Sequence, residues 1–181
     1  MDMTSEVTGN MLSRMVRASC FDKNLFEDVE ADRSATMQAL FVVAIVALST
    51  GIASLAKTGL LGLLVGVLVG IVGWAIWAYI VYLIGTKLLG TSDTDADWGE
   101  LARTVGFAQS PGIFRALGIL PAVGDTIFVV ASLWMLITTV IAVRQALDYT
   151  STLRAIGVVL LGFIPYVIFM TLLLTILGQA E

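Results

Sequence analysis

Apolar residues fill this chain in blocks of twenty or more, parted by short polar connections, and blocks of that length predict membrane-spanning helices. Residues 35–56 carry no charge. As one helix they would extend about 33 Å, enough to cross a hydrocarbon core of ~30 Å. Ser34 is placed to cap the start and Lys57 marks the end. Residues 58–89 are apolar up to Lys87. A single helix of about 48 Å exceeds the core, but division in two would leave marginal spans, so one long helix leaving the membrane in its last turns is expected. Asp97-Trp98-Gly99-Glu100 has the form of a capping box and opens a third helix to about Leu120, kinked at Ser110-Pro111-Gly112. Two further apolar blocks end near Arg144 and begin after Arg154, the last with Pro165 as a point of kinking. The spans fall at about 35–56, 59–89, 99–120, 126–147 and 155–177.

Residues 1–33 are patterned differently. Met11, Leu12, Met15, Val16 and Ala18, then Phe21, Leu25, Phe26 and Val29, recur at three- and four-residue steps. Short amphipathic helices result, suited either to the headgroup interface or to packing on the ends of the bundle formed by 34–181.

Composition sharpens this picture. Hydrophobic residues make up 58% and charged residues 13%, so the chain lacks the polar surface of a water-soluble domain. The net charge of -4, concentrated in residues 22–32 and 93–100, argues against nucleic-acid binding. A lone Cys20 and no His exclude an internal disulfide and the usual soft-metal sites; Cys20 itself is expected to be an ordinary buried thiol. The N-terminus is acidic and polar, unlike a cleavable secretory signal. With the N-terminus in the cytoplasm, alternation puts Arg14, Arg17, Lys23, Arg33, Lys87, Arg103, Arg144 and Arg154 inside and only Lys57 and Arg115 outside. That asymmetry predicts a cytoplasmic N-terminus and an exoplasmic C-terminus.

Three groups of residues invite a closer reading. Gln109, Ser110, Pro111 and Arg115 put polar groups in the third span, and Asp125 follows the next turn, within reach of an Arg115–Asp125 pair. The group is either a staple between spans or a polar cleft for an ion, headgroup or substrate, lined by carbonyls that Pro111 frees. Arg144 and Asp148, four residues apart, could meet on one helical face, terminating the fourth span or docking a partner. Gly62, Gly66 and Gly70 form a small-residue stripe that permits close approach of another helix. No catalytic, cofactor-binding or metal constellation appears.

Asp97-Trp98-Gly99-Glu100-Leu101, Gly106-Phe-Ala-Gln-Ser-Pro-Gly, Leu117-Gly118 with Pro121, and Trp134 followed by Ala142-Val-Arg-Gln-Ala-Leu-Asp-Tyr149 resemble the prokaryotic branch of the YIP family, over roughly Phe26 to Phe163. The resemblance implies five spans, a cytosolic N-terminus and no enzymatic activity. Eukaryotic relatives are described as associating with Rab-type GTPases and with one another in membrane traffic, and they carry a cytosolic N-terminal region longer than the 33 residues here. The expectation is an all-α integral membrane protein, a five-span helical bundle with an N-terminal interfacial amphipathic segment. It would act without cofactors as a membrane organiser, adaptor or accessory subunit in a prokaryotic plasma membrane. Expected partners are membrane lipids and other integral membrane proteins, a homo-oligomer being allowed. The alternative is a small transporter or channel with a polar site around the Pro111 kink.

Overall fold

A computed structural model describes residues 3–92 and 94–178, and the side chains of 11–55, 58–92 and 94–176. Expectations for Asp93 and the two chain ends lie outside the described residues. The elements are α1 (Met3–Ser19), α2 (Lys23–Ala31), α3 (Ala35–Leu55), α4 (Thr58–Leu88), α5 (Trp98–Ala108), a 3-10 segment (Ser110–Ile119), α6 (Gly124–Ala146) and α7 (Thr152–Gly178). Four of them, α3, α4, α6 and α7, are long and apolar enough to cross a membrane.

The turn between α3 and α4 is set by Gly59, whose φ of 66° and ψ of -174° are open essentially to glycine alone. Chain reversal there brings Gly51 against Leu63 and Ala47 against Gly70. Beyond the turn α4 is one long helix, as its apolar run predicts, and its last turn widens into a π-helix over Ile84–Leu88. Ser34 makes no side-chain cap at the start of α3; the Asp32 carboxylate receives both the Ser34 amide at 2.9 Å and its hydroxyl at 2.5 Å.

The expected third span departs from a single kinked helix. Its start has the full capping box, with Glu100 N–H to Asp97 Oδ1 at 2.8 Å and Asp97 N–H to Glu100 Oε2 at 2.7 Å. After 11 residues of α-helix the chain then tightens into ten residues of 3-10 helix. Pro111, which has no amide hydrogen to continue the α ladder, sits at the change. The composite runs beside α3 and in the same direction, because small residues let it: Gly106 lies against Ala39, Gly112 against Val46 and Gly118 against Ala53. A β-carbon at Gly112 would stand 2.5 Å from Val46 Cγ1. Pro165, by contrast, is carried inside an unbroken α7.

The tightest core lies toward α2 and α5, where Leu25, Phe26, Leu101, Phe107 and Leu147 are fully buried. At the far half of α4 and along α7, Leu60, Leu64, Leu68, Ile164 and Leu172 are exposed, as a lipid-facing surface requires. The N-terminal helices pack on the bundle, the second of the two arrangements expected for them. Met15, Ala18, Leu25, Phe26 and Val29 are buried against the bundle, while Leu12 (53% exposed) and Val16 (63%) face outward. Their docking reaches along the flank of α6: the Trp134 indole donates to the Ser19 carbonyl at 2.9 Å, and the Phe21 ring lies 6.4 Å from it. Cys20, expected to be buried, is exposed because it falls in the turn that ends α1.

Candidate functional site: a polar cavity between the helices

Pro111 leaves the Phe107 carbonyl without its α-helical donor, and the switch to 3-10 pairing, with Gly112 N–H bonding the Gln109 carbonyl at 2.7 Å, frees the Ala108 carbonyl as well. Both are recovered by side chains. Ser110 donates its hydroxyl to the Phe107 carbonyl at 2.6 Å, and Thr138 of α6 reaches the Ala108 carbonyl at 2.6 Å. Ser110 and Pro111 are therefore buried parts of a repaired helix break, and the freed carbonyls do not line a cleft. Thr138 is also the stitch that joins this break to α6, a role the sequence did not advertise.

One turn further, Arg115 points to α6. Its Nη2 donates to Ser132 Oγ at 2.8 Å, its guanidinium carbon stands 4.8 Å from the centre of the Phe128 ring, and its Nε is buried with no hydrogen-bond partner. The expected Arg115–Asp125 pair is not formed. Asp125 is exposed in the first turn of α6, whereas Phe128 and Ser132 lie one and two turns deeper, where the guanidinium sits. Ion pairs among the described residues are confined to Arg14–Asp32, Arg17–Asp22 and Arg17–Asp28.

Arg115 and Gln109 line a partly open cavity of about 410 Å3 between α3, α4, α5, the 3-10 segment, α6 and α7. Gly62, Gly66 and Gly70 form its α4 wall. The glycine stripe is thus split in purpose. Gly70 packs on α3, where an added β-carbon would stand 2.9 Å from Ala47 Cβ, but one at Gly66 would meet nothing within 4 Å, and one at Gly62 would strike only Thr58 of its own helix. Close packing, expected along the whole stripe, is confined to one of its three members because below Gly70 the contact with α3 passes to Leu63, against Gly51, while Gly62 and Gly66 look into the cavity.

At the other end of the bundle Arg144 and Asp148 do not meet. α6 ends at Ala146, and Asp148 takes a left-handed conformation (φ 52°) that closes the helix with Tyr149 N–H to the Arg144 carbonyl and Asp148 N–H to the Gln145 carbonyl, both at 2.9 Å. Arg144 instead donates to the carbonyls of Tyr149 at 3.1 Å and Thr150 at 3.2 Å, holding the turn to α7. The Tyr149 hydroxyl lies 2.7 Å from the Gly85 carbonyl, in the π turn of α4. A residue not singled out from sequence dominates here. Arg103, 5% exposed, donates Nε to the Val29 carbonyl at 3.1 Å and Nη2 to the Glu30 carbonyl, capping α2 from α5. Glu30 is itself pushed up to about 7 by burial, then by the nearby charges of Asp148, Glu100 and Glu27, with Arg103 opposing.

A sequence model of the Yip1 domain matches residues 22–173, most of the chain. The chain belongs to the Yip1 family. The matched stretch runs from the start of α2 into α7, so the Yip1 domain includes the docked helix α2, the Arg103 cap, the Pro111 break and every residue that lines the cavity. α1 precedes it. Comparison with curated proteins and with solved structures gave no match. Membership makes this a membrane protein of a membrane-trafficking family, in keeping with its four apolar helices.

Proposed function

We propose that the protein is a non-enzymatic, five-crossing membrane protein of the prokaryotic Yip1 branch that works by contact, as an organiser, adaptor or accessory subunit of a larger membrane assembly. The fifth crossing is the α5–3-10 composite, whose two parts extend together about 36 Å. In this reading the N-terminus is cytoplasmic, the C-terminus is exoplasmic and the membrane is the plasma membrane. The observation that carries it is the way α1 and α2 are fastened to the bundle. Arg103 caps α2 and Gln145 donates to Glu27 at 2.8 Å, while Trp134, midway along α6, holds the end of α1, so α1 and α2 offer a fixed surface on the bundle. Its partners would be lipids and other integral membrane proteins, a second copy included.

A photoreactive residue placed at Asp28, on the outer face of α2, tests this in native membranes. Discrete cross-links to another membrane protein or to a second copy, lost when Arg103→Leu releases α2, are the expected result. Cross-linking confined to the chain itself would overturn it. The cavity beside Arg115 is the observation favouring the second reading, a small transporter or channel, and flux of small anions through proteoliposomes is its test.

A further inference from the structure

We propose that the cavity walled by α3, α4, α5, the 3-10 segment, α6 and α7 binds the net-negative head of a membrane amphiphile, a phosphate-class anion on an acyl chain with no cationic group beside it, with Arg115 as its cation. The inference goes beyond the contact role argued above and stands without it. A guanidinium held among apolar helices is costly unless an anion is near, and Arg115 has one hydroxyl and one aromatic face as its partners. Ser132 spends its own proton on the Phe128 carbonyl at 2.7 Å, so it serves Arg115 purely as an acceptor and fixes the fork in place. The buried Nε–H of that fork remains unmatched. Nη1 forms no hydrogen bond among the described residues and, unlike Nε, is not sealed off by its surroundings, so its N–H groups are the ones an oxyanion in the cavity would meet.

The rest of the wall divides by chemistry. Gln109 and Tyr166 line the cavity, and the side chains of neither form a hydrogen bond among the described residues, so an amide and a phenol are available as further donors. Thr50 and Thr139 also line the cavity; they donate their hydroxyl protons to carbonyls one turn back, at 3.0 and 2.7 Å, and so have only acceptor capacity left, which suits hydroxyl groups on an esterified head. Trp74, Trp77, Leu136 and Phe163 supply an apolar side for the chain that follows. The volume of about 410 Å3 lies in the range of small-ligand sites. The cavity is partly open, and Gly66 in its wall is itself exposed, so in a bilayer that opening would face lipid.

The test uses the full chain, purified in mild detergent and stripped of lipid. Phosphatidylglycerol, phosphatidylcholine and inorganic phosphate are added separately, and bound species are counted by native mass spectrometry beside the thermal unfolding midpoint. Phosphatidylglycerol is expected to give a one-to-one adduct and a raised midpoint, with phosphatidylcholine far weaker. Arg115→Gln should weaken the adduct roughly ten- to hundredfold, the scale of a lost charge-assisted hydrogen bond. Gly66→Leu fills the cavity without meeting a neighbour at its β-carbon and should have the same effect, deciding the matter if Arg115→Gln does not fold. A shift given by inorganic phosphate alone supports the oxyanion site and overturns the amphiphile. Equal binding of both lipids, or undiminished binding by both variants, overturns the site itself.

Discussion

Arg115 shows how a single side chain can be misassigned by sequence distance. Asp125 is the nearest carboxylate along the chain, yet the guanidinium lies beside Ser132 and Phe128, with no carboxylate within ion-pair distance among the described residues. Arg115→Ala and Asp125→Ala should therefore change stability independently, the double variant matching the sum of the singles to within roughly 0.5 kcal/mol in thermal unfolding. Recovery of stability in the double variant would show that the two charges attract after all. Gly59 is a simpler case. Nothing lies within 4 Å of a β-carbon there, so any cost of Gly59→Ala comes from backbone angles alone. A loss of roughly 1–3 kcal/mol is expected, measurable as a lower unfolding midpoint in detergent.

At the scale of elements, the glycine stripe and the N-terminal pair each behave as two different things. Gly70→Leu forces α3 away from α4 through Ala47 and should cost roughly 1–3 kcal/mol, whereas Gly66→Leu should leave lipid-free stability close to wild type. Equal losses from the two would contradict the geometry of this wall. The docking of α2 should depend on pH through Glu30. Its carboxyl holds a proton up to about pH 7 in the folded protein, against an ordinary value of 4.5, so the folded state gains most below that ordinary value and loses the gain as pH rises through 7. Thermal stability should therefore be lower at pH 8 than at pH 5.5. Glu30→Gln should flatten that difference, because a neutral amide no longer meets the charges of Asp148, Glu100 and Glu27. An unchanged pH profile in the variant would assign the dependence to other groups.

For the whole molecule, the direction of each segment follows from which small residues touch. The composite of α5 and the 3-10 segment lies parallel to α3 through Ala39, Val46 and Ala53, while α4 returns antiparallel. Reporters fused at Met1 and at Glu181 are accordingly expected on opposite sides of the membrane, the first cytoplasmic. Both on one side would mean an even number of crossings, with the 3-10 segment returning without passing through. The cavity is a property of this scale as well. It lies beside the contacts of α4 with α7 at Gly73–Tyr166 and Trp77–Phe163, and its wall is drawn from α3, α4, α5, the 3-10 segment, α6 and α7 together.

The membrane class, the boundaries of the four long helices, the capping box at Asp97 and the family were legible in the sequence, because each depends on local pattern: apolar run length, a reciprocal pair three residues apart, or a contiguous motif. The position of Pro111 was legible too, though only as a break. What filled that break was decided in three dimensions, since Thr138 is 30 residues from the carbonyl it satisfies. The same holds for Arg103, which spans more than 70 positions to cap α2, and for Arg115, whose partners were fixed by the rotation of α6. Periodicity says which residues share a face of one helix. It does not say which face of another helix that face will meet, or where two helices will stand apart, and those relations decided both the fastening of α1 and α2 and the cavity beside Arg115.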